Sequence, residues 1–335
     1  MSANSNSLDP VKIQASHTQR VEEWIFLILQ VTGGQILLPI IIATSLFSKS
    51  TPRHTIFLNF CLSWSLSSII FSLLLYRERS TPEEVSLTPG PNICIIQAAL
   101  VNGIQAMTSC TTLALVIHIW SVFRQTGRYG SPSDSLLRPG LRNAAFLLVP
   151  SLFFASFAIV TLVVGNVPTD NSKGDPVPNL AVATAFYCVI LQADGTLKLL
   201  QGVYSFSAAL AVITLLFEGL TMFEIYRSKK VLKKYAPKGT TAVFIRIAMF
   251  SLLRTFVLGF TFIFAIEPQR VFQPGLTNTF VFNGFIDVLQ ASLPLAAALI
   301  LGTQKDFLDV WFFCKRNGTS KQVLQVDVIQ EKLQY

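Results

Sequence analysis

Seven long apolar runs restrict the fold of this chain more than any other feature. Each is long enough to cross a hydrocarbon core of about 30 Å as an α-helix. Hydrophobic residues make up 51% of the sequence and charged residues only 13%, which excludes an ordinary soluble domain. We therefore predict an all-α membrane protein, a seven-transmembrane helix bundle. The runs are 24–47, 55–76, 92–123, 143–165, 199–226, 241–266 and 279–302.

Basic residues predict the orientation of the bundle. With the N-terminus outside, 18 of the 26 Lys and Arg residues fall in cytoplasmic segments, seven fall outside, and Arg254 lies within a run. Because positive residues concentrate on the cytoplasmic side, we predict an N-out, C-in topology. Residues 1–23 then form an extracellular tail without a signal-peptide pattern, 24–302 the bundle, and 317–335 a short cytoplasmic tail.

The net charge of +8 has a simple interpretation in this topology. Most of the positive charge faces the anionic lipid of the inner leaflet, so membrane lipid is an expected partner. No separate soluble basic domain exists to bind nucleic acid, so we expect no nucleic-acid partner.

Two cysteines share the predicted outer side. Cys94 begins the third run and Cys188 lies in the loop after the fourth, whereas Cys61 and Cys110 lie within runs. Disulfides persist outside the cell, so we predict a Cys94–Cys188 bridge. Two buried free thiols are the alternative.

The segment Leu180–Leu191 is apolar but too short to span a bilayer. We interpret it as part of an extracellular loop that folds over the helix mouths, and a hairpin is one form that such a loop can take. A re-entrant segment or a wrongly divided fifth helix is the alternative.

Polar side chains at membrane depth mark candidate sites, because their burial in lipid is costly. Asp287 needs a partner there, either Arg254 or a ligand, and two amides share its helical face at i−4 and i+3. We predict a ligand pocket between this face and the amides of the third run. An interhelical hydrogen-bond network that only holds the helices together is the alternative. The predicted ligand-binding residues are Asp287, Asn283, Gln290, Gln97, Asn102 and Gln105.

Glu218 and Arg254 are two further charged residues well inside the runs. Counted from the inner ends at about 1.5 Å per residue, they lie at similar depth in the fifth and sixth helices. We predict an ion pair there, which would be a candidate switch if the sixth helix moves. In the alternative, Glu218 is solvated near the interface and Arg254 extends toward it.

The predicted inner face carries two further features. The loop after the fifth run is strongly basic, which favours docking of an acidic partner surface, although the topology rule explains the same charge. Residues 303–316 predict an interfacial amphipathic helix, in which Cys314 is either a lipidation site or a free thiol. The basic residues are Arg227, Lys229, Lys230, Lys233 and Lys234.

Seven helices, an extracellular N-terminus and a Cys94–Cys188 pattern together resemble the G-protein-coupled receptor superfamily. Four sequence patterns look like those of fungal seven-helix receptors: Arg53-His54, Phe57-Leu58-Asn59, Leu293-Pro294 and residues 301–306. His118-Ile119-Trp120 stands where rhodopsin-like receptors carry an acidic-Arg-aromatic triplet, so a divergent fungal branch fits better. The resemblance implies a plasma-membrane receptor with an extracellular ligand, a heterotrimeric G protein as its partner and no cofactor.

Other classes of membrane protein fit these residues less well. A microbial retinal protein needs a Lys in the seventh helix, and 279–302 has none. The three histidines are predicted to lie far apart, so we expect no metal site and no enzyme. A small-solute transporter is the alternative function, although the helix-breaking prolines follow no wider repeat.

Overall fold

The computed structural model describes residues 17–47, 55–78, 91–127, 139–166, 169–170, 176–177, 180–183, 186–191, 198–227, 240–266 and 277–303. Within these ranges the chain forms seven helices and four short strands. Six of the helices are long and apolar enough to cross a membrane. The protein is therefore a multi-pass helical membrane protein, as the apolar runs predict.

The first helix, α1, consists of three consecutive segments: His17–Leu29, a π-helical segment Gln30–Leu37, and Leu38–Phe47. Several of the other helices extend beyond the predicted apolar runs. In α3 and α4 a proline forms the first helical position, where its missing N–H leaves no bond unmade. The remaining helices are α2 (Thr55–Glu78), α3 (Pro91–Gly127), α4 (Pro139–Asn166), α5 (Lys198–Arg227), α6 (Thr240–Ile266) and α7 (Thr277–Gly302).

The π-helical segment brings α1 unusually close to its neighbours. A Cβ at Gly33 would overlap the backbone of Leu295 in α7, and a Cβ at Gly34 would overlap the side chain of Ser68 in α2. Only glycine leaves enough room for this approach.

Serines of α2 bind carbonyl groups along the π-helical segment. Ser68 Oγ donates to the Gln30 carbonyl at 2.6 Å, and Ser65 Oγ donates to the Gly34 carbonyl at 2.7 Å. Backbone groups at membrane depth must be satisfied within the protein, so these bonds stabilise the irregular segment.

The helix α3 lies at the centre of the bundle. It packs against α2, α4, α5 and α6, while α7 packs against α1, α2 and α6 and completes the ring. The helix α4 is peripheral, and large apolar side chains such as Leu148, Leu152 and Val163 are exposed on it. Such a face suits contact with lipid.

Short strands lie between α4 and α5. The strands β1 (Thr169–Asp170) and β2 (Pro176–Val177) pair with each other, and β3 (Leu180–Ala183) pairs antiparallel with β4 (Cys188–Leu191). The β3–β4 pair confirms the predicted hairpin, and the alternative of a wrongly divided fifth helix at this segment is wrong. We call the end of the bundle that carries β3 and β4 the hairpin end.

Candidate functional site

The hairpin is fixed to the start of α3 by a covalent bond and a hydrogen bond. The predicted Cys94–Cys188 disulfide is present, with the two Cα atoms 5.2 Å apart. The Cys188 N–H donates to Gln97 Oε1 at 3.2 Å, and Gln97 Nε2 donates to the Ile70 carbonyl of α2 at 3.3 Å. Gln97 therefore links the hairpin to two helices.

Aromatic side chains immediately before β4 fill the mouth of the bundle. Phe186 stacks on Phe26 of α1 with ring centroids 4.6 Å apart, and Tyr187 meets the ring of Phe71 in α2 edge-on at 5.1 Å. Both hairpin residues are buried. The hairpin is therefore a packed plug between helices.

Asp287 in α7 has a protein partner that the sequence analysis did not predict. Tyr187 Oη donates to Asp287 Oδ1 at 3.1 Å, and Tyr204 of α5 is a second hydrogen-bond partner of Tyr187. Asp287 is only 7% exposed. In the part of the chain that the structure describes, the hairpin brings a hydroxyl group to this carboxylate, and Arg254 bonds elsewhere.

The pKa of Tyr187 reflects this environment. Burial, followed by the negative charge of Asp287, raises the pKa of the Tyr187 hydroxyl well above its ordinary value. The hydroxyl therefore keeps its proton and remains a donor at neutral pH.

The other predicted ligand-binding residues do not all lie together. Gln290 Nε2 of α7 donates to Gln105 Oε1 of α3 at 3.3 Å, as their predicted proximity implies. Asn102 Nδ2 instead donates to Thr161 Oγ1 of α4 at 3.1 Å, away from α7. Asn283 lies in α7, but its side chain is outside the described residues.

The orientation of Asn102 follows from helix geometry. Five residues separate Asn102 from Gln97, which places the two side chains about 140° apart around α3. The Asn102 amide is bonded to α4, whereas Gln97 is bonded to the hairpin and α2, and a role of Asn102 in ligand binding stays a prediction.

Arg254 is buried in the middle of α6, only 4% exposed, and points toward α3. Its Nη2 donates to Ser109 Oγ at 2.7 Å and to Thr108 Oγ1 at 3.4 Å. Its guanidinium carbon lies 5.4 Å from the centre of the Trp64 ring, within cation–π range. The arginine is thus held by neutral groups.

The predicted ion pair between Glu218 and Arg254 is not formed among the described residues. Glu218 lies beside Ser251 of α6, and its Oε1 is buried without a hydrogen bond there. Ser251 precedes Arg254 by three residues, about 4.5 Å along the helix. Glu218 is therefore about one turn away from the level at which Arg254 enters the bundle.

Several predicted features lie wholly or partly outside the described residues. Arg227 is exposed at the end of α5. The rest of the basic loop and residues 304–316 are not described, and they include Lys229, Lys230, Lys233, Lys234 and Cys314. In the described ranges no three His, Cys, Asp or Glu side chains are grouped as metal ligands.

The sequence analysis did not predict two residues of these sites, Tyr187 and Trp64. Tyr187 stands directly before Cys188, so its link to a bridging cysteine was the available sign that it is held against the helices. Trp64 lies in a Ser-rich part of α2, and nothing in the local pattern distinguishes it from a lipid-facing aromatic residue.

Comparison with known proteins assigns no relatives. No protein-family model matches the chain, and no curated protein matches it. Any function must therefore be argued from these residues and their geometry.

Proposed function

We propose that the protein is a plasma-membrane receptor of seven transmembrane helices, which senses an extracellular ligand and signals to a heterotrimeric G protein. One observation carries this proposal: a disulfide-anchored hairpin inserts Tyr187 among the helices and places its hydroxyl on Asp287. A plug of this kind gives a ligand from outside a direct route to move α7.

In this proposal the ligand competes with Tyr187 for Asp287. Displacement of Tyr187 frees a buried carboxylate, and a ligand that supplies a donor restores the lost hydrogen bond. The ligand-bound and ligand-free arrangements differ in contacts, as a two-state receptor requires. Gln97 bonds to the hairpin, Gln105 bonds to Gln290 of α7, and Asn283 lies one turn from Asp287.

The change at Asp287 has a physical path to the middle of the bundle. Gln290 lies three residues beyond Asp287 and bonds to Gln105 of α3. Four residues further along α3, Ser109 holds Arg254 of α6. A shift of α7 therefore alters the support of α6, and Glu218 with Arg254 remains the proposed switch after such a rearrangement.

We place the G protein at the opposite end, on the basic loop 227–238, with residues 303–316 lying on the inner leaflet. The positive charge of this loop suits an acidic docking surface. Cys314 is the proposed lipidation site that would anchor the interfacial helix.

A small-solute transporter is the second candidate, and one observation favours it. A small cavity near the middle of the bundle is lined by Gln30 of the π-helical segment, Arg254 and Pro294. Irregular helices around a charged mid-membrane cavity are typical of transporters.

Nucleotide exchange on G proteins tests the receptor proposal. Purified protein in lipid vesicles is screened with ligands and several G-protein classes, and exchange is expected to rise with one ligand. Asp287→Asn and a variant with the charges of 227–238 neutralised are expected to reduce it, while Lys198→Gln at the hairpin end is the matched charge control. Silence with every G protein, together with solute uptake by the same vesicles, would favour the transporter.

A further inference from the structure

The cavity beside Arg254 lies between α1, α2, α3, α6 and α7. It has room for about one water molecule. Its polar lining includes Arg254, Trp64, Gln30, Gln105 and Gln290. None of these side chains except Gln105 and Gln290 was part of the predicted ligand site.

Unpaired polar groups meet at this cavity: donors of Arg254 and Trp64, and the Gln30 amide oxygen as an acceptor without a partner among the described residues. Both hydrogen bonds of Arg254 use the same nitrogen, Nη2, which leaves its other N–H groups without an acceptor there. The indole N–H of Trp64 is buried and likewise has no acceptor among the described residues. Buried donors are rarely left unpaired in native proteins.

The charge of Arg254 is also uncompensated in the described part of the chain. Asp287 is engaged by Tyr187, and Glu218 lies beside Ser251. A water molecule can accept hydrogen bonds from Arg254 and Trp64, but it cannot balance a buried positive charge. An anion does both, and its bonds to a guanidinium group are among the stronger hydrogen bonds.

We propose that this cavity binds a small monovalent anion, either chloride or a carboxylate of the size of formate. The guanidinium of Arg254 and the indole N–H of Trp64 donate to it. The Gln30 amide borders the same space, and its Oε1 has no partner among the described residues. Rotation of this amide presents its NH2 group to the anion as a further donor. Chloride is only somewhat larger than a water molecule and is accommodated, formate requires the cavity side chains to move apart slightly, and gluconate is too large.

Anion-dependent thermal unfolding tests the proposal. Full-length protein in lipid nanodiscs is unfolded in sodium chloride, sodium formate and sodium gluconate at constant sodium concentration. The unfolding temperature is expected to rise and saturate with chloride or formate, because a ligand that binds only the folded state stabilises it. A response to formate but not chloride would identify the anion as a carboxylate. Equal curves in all three salts would show a cavity filled by water only and would overturn the proposal.

Single-residue variants test whether the anion-dependent rise in unfolding temperature arises at this cavity. Arg254→Gln is expected to weaken anion affinity about tenfold or more, since a charged donor is lost. Arg246→Gln, two turns earlier in α6, is the matched control and is expected to leave the affinity unchanged. If Arg254→Gln does not fold, Trp64→Phe decides, because it removes one donor and retains an aromatic ring. Unchanged affinity in Trp64→Phe would then contradict the site.

Discussion

Asp287 and Arg254 are both buried ionisable residues at membrane depth, yet the protein treats them differently. Asp287 receives a hydrogen bond from Tyr187, which the hairpin delivers into the bundle. Arg254 donates through one nitrogen to two neutral hydroxyl groups and borders a cavity. The cost of burial is therefore met within the protein at the hairpin end, and only partly met around Arg254.

The hairpin end is thus a closely packed region, whereas the region around Arg254 contains a cavity. The hairpin end is filled by aromatic packing and joined by a disulfide, so anything that binds there must first displace Tyr187. Among the described residues, the region around Arg254 has unpaired donors beside free volume, and this is the basis on which we propose a binding site there.

Removal of the disulfide is expected to have the largest effect on this contrast. Cys94→Ser with Cys188→Ser opens a link between residues 94 positions apart. We expect a loss of about 2–5 kcal/mol in the free energy of unfolding, because the unfolded chain gains freedom. Thermal unfolding with and without reductant measures it. Reductant should lower the unfolding temperature of the wild type and leave the double variant unchanged; an equal effect on both would show that another bond is responsible.

Removal of the Tyr187 hydroxyl tests how firmly Asp287 is satisfied. Tyr187→Phe is expected to cost about 1.5–3 kcal/mol, because it leaves a buried carboxylate without its donor. In an Asp287→Asn background the same change should cost about 0.5–1.5 kcal/mol, since the acceptor is neutral.

Tyr76→Phe is the matched control for this pair. Its hydroxyl donates to Gln35 at 2.7 Å but is exposed, so its loss should cost little. Similar costs at both tyrosines would mean that burial of the Tyr187–Asp287 pair adds no stability.

High pH offers a smaller test of the same pair. The folded-state pKa of Tyr187 is raised, so its contribution to stability is complete below the unfolded pKa of about 10 and is lost as the pH rises above it. The stability difference between wild type and Tyr187→Phe should therefore narrow above about pH 10. Parallel stability curves for the two proteins would argue against a raised pKa.

The smallest effect is expected for coupling between Glu218 and Arg254. Because the two side chains form no ion pair here, the effects of Glu218→Gln and Arg254→Gln on unfolding should add to within about 0.5 kcal/mol. Ser109→Ala with Arg254→Gln should couple more strongly, since these residues share a hydrogen bond. Strong coupling between Glu218 and Arg254 would instead indicate that the predicted ion pair forms. For signalling, Glu218→Arg combined with Arg254→Glu tests the switch by rescue of the single variants.

The helices and the disulfide could be predicted because their signals are local and strong. Length and apolar composition identified the membrane helices, and the position of Cys94 and Cys188 on one predicted side identified the bridge. Both signals depend on the membrane, which limits where apolar helices and disulfides occur.

The contacts of the polar residues could be predicted only in part, because they depend on rotation and on chain segments without periodicity. Gln105 and Gln290 were placed correctly on facing helices. Asn102 instead bonds to Thr161 of α4, and Glu218 is about one turn from the level of Arg254. Tyr187 belongs to a hairpin, where no helical pattern indicates the direction of a side chain.

The orientation of the hairpin in the membrane is the claim on which the receptor proposal depends most directly. Short epitope tags can be inserted separately between β1 and β2 and within the basic loop after α5, and stained in intact and permeabilised cells. We predict that the tag between β1 and β2 is stained in intact cells. The tag in the basic loop should be stained only after permeabilisation. The reverse pattern would place Asp287 and its plug on the cytoplasmic side and contradict a receptor for extracellular ligands.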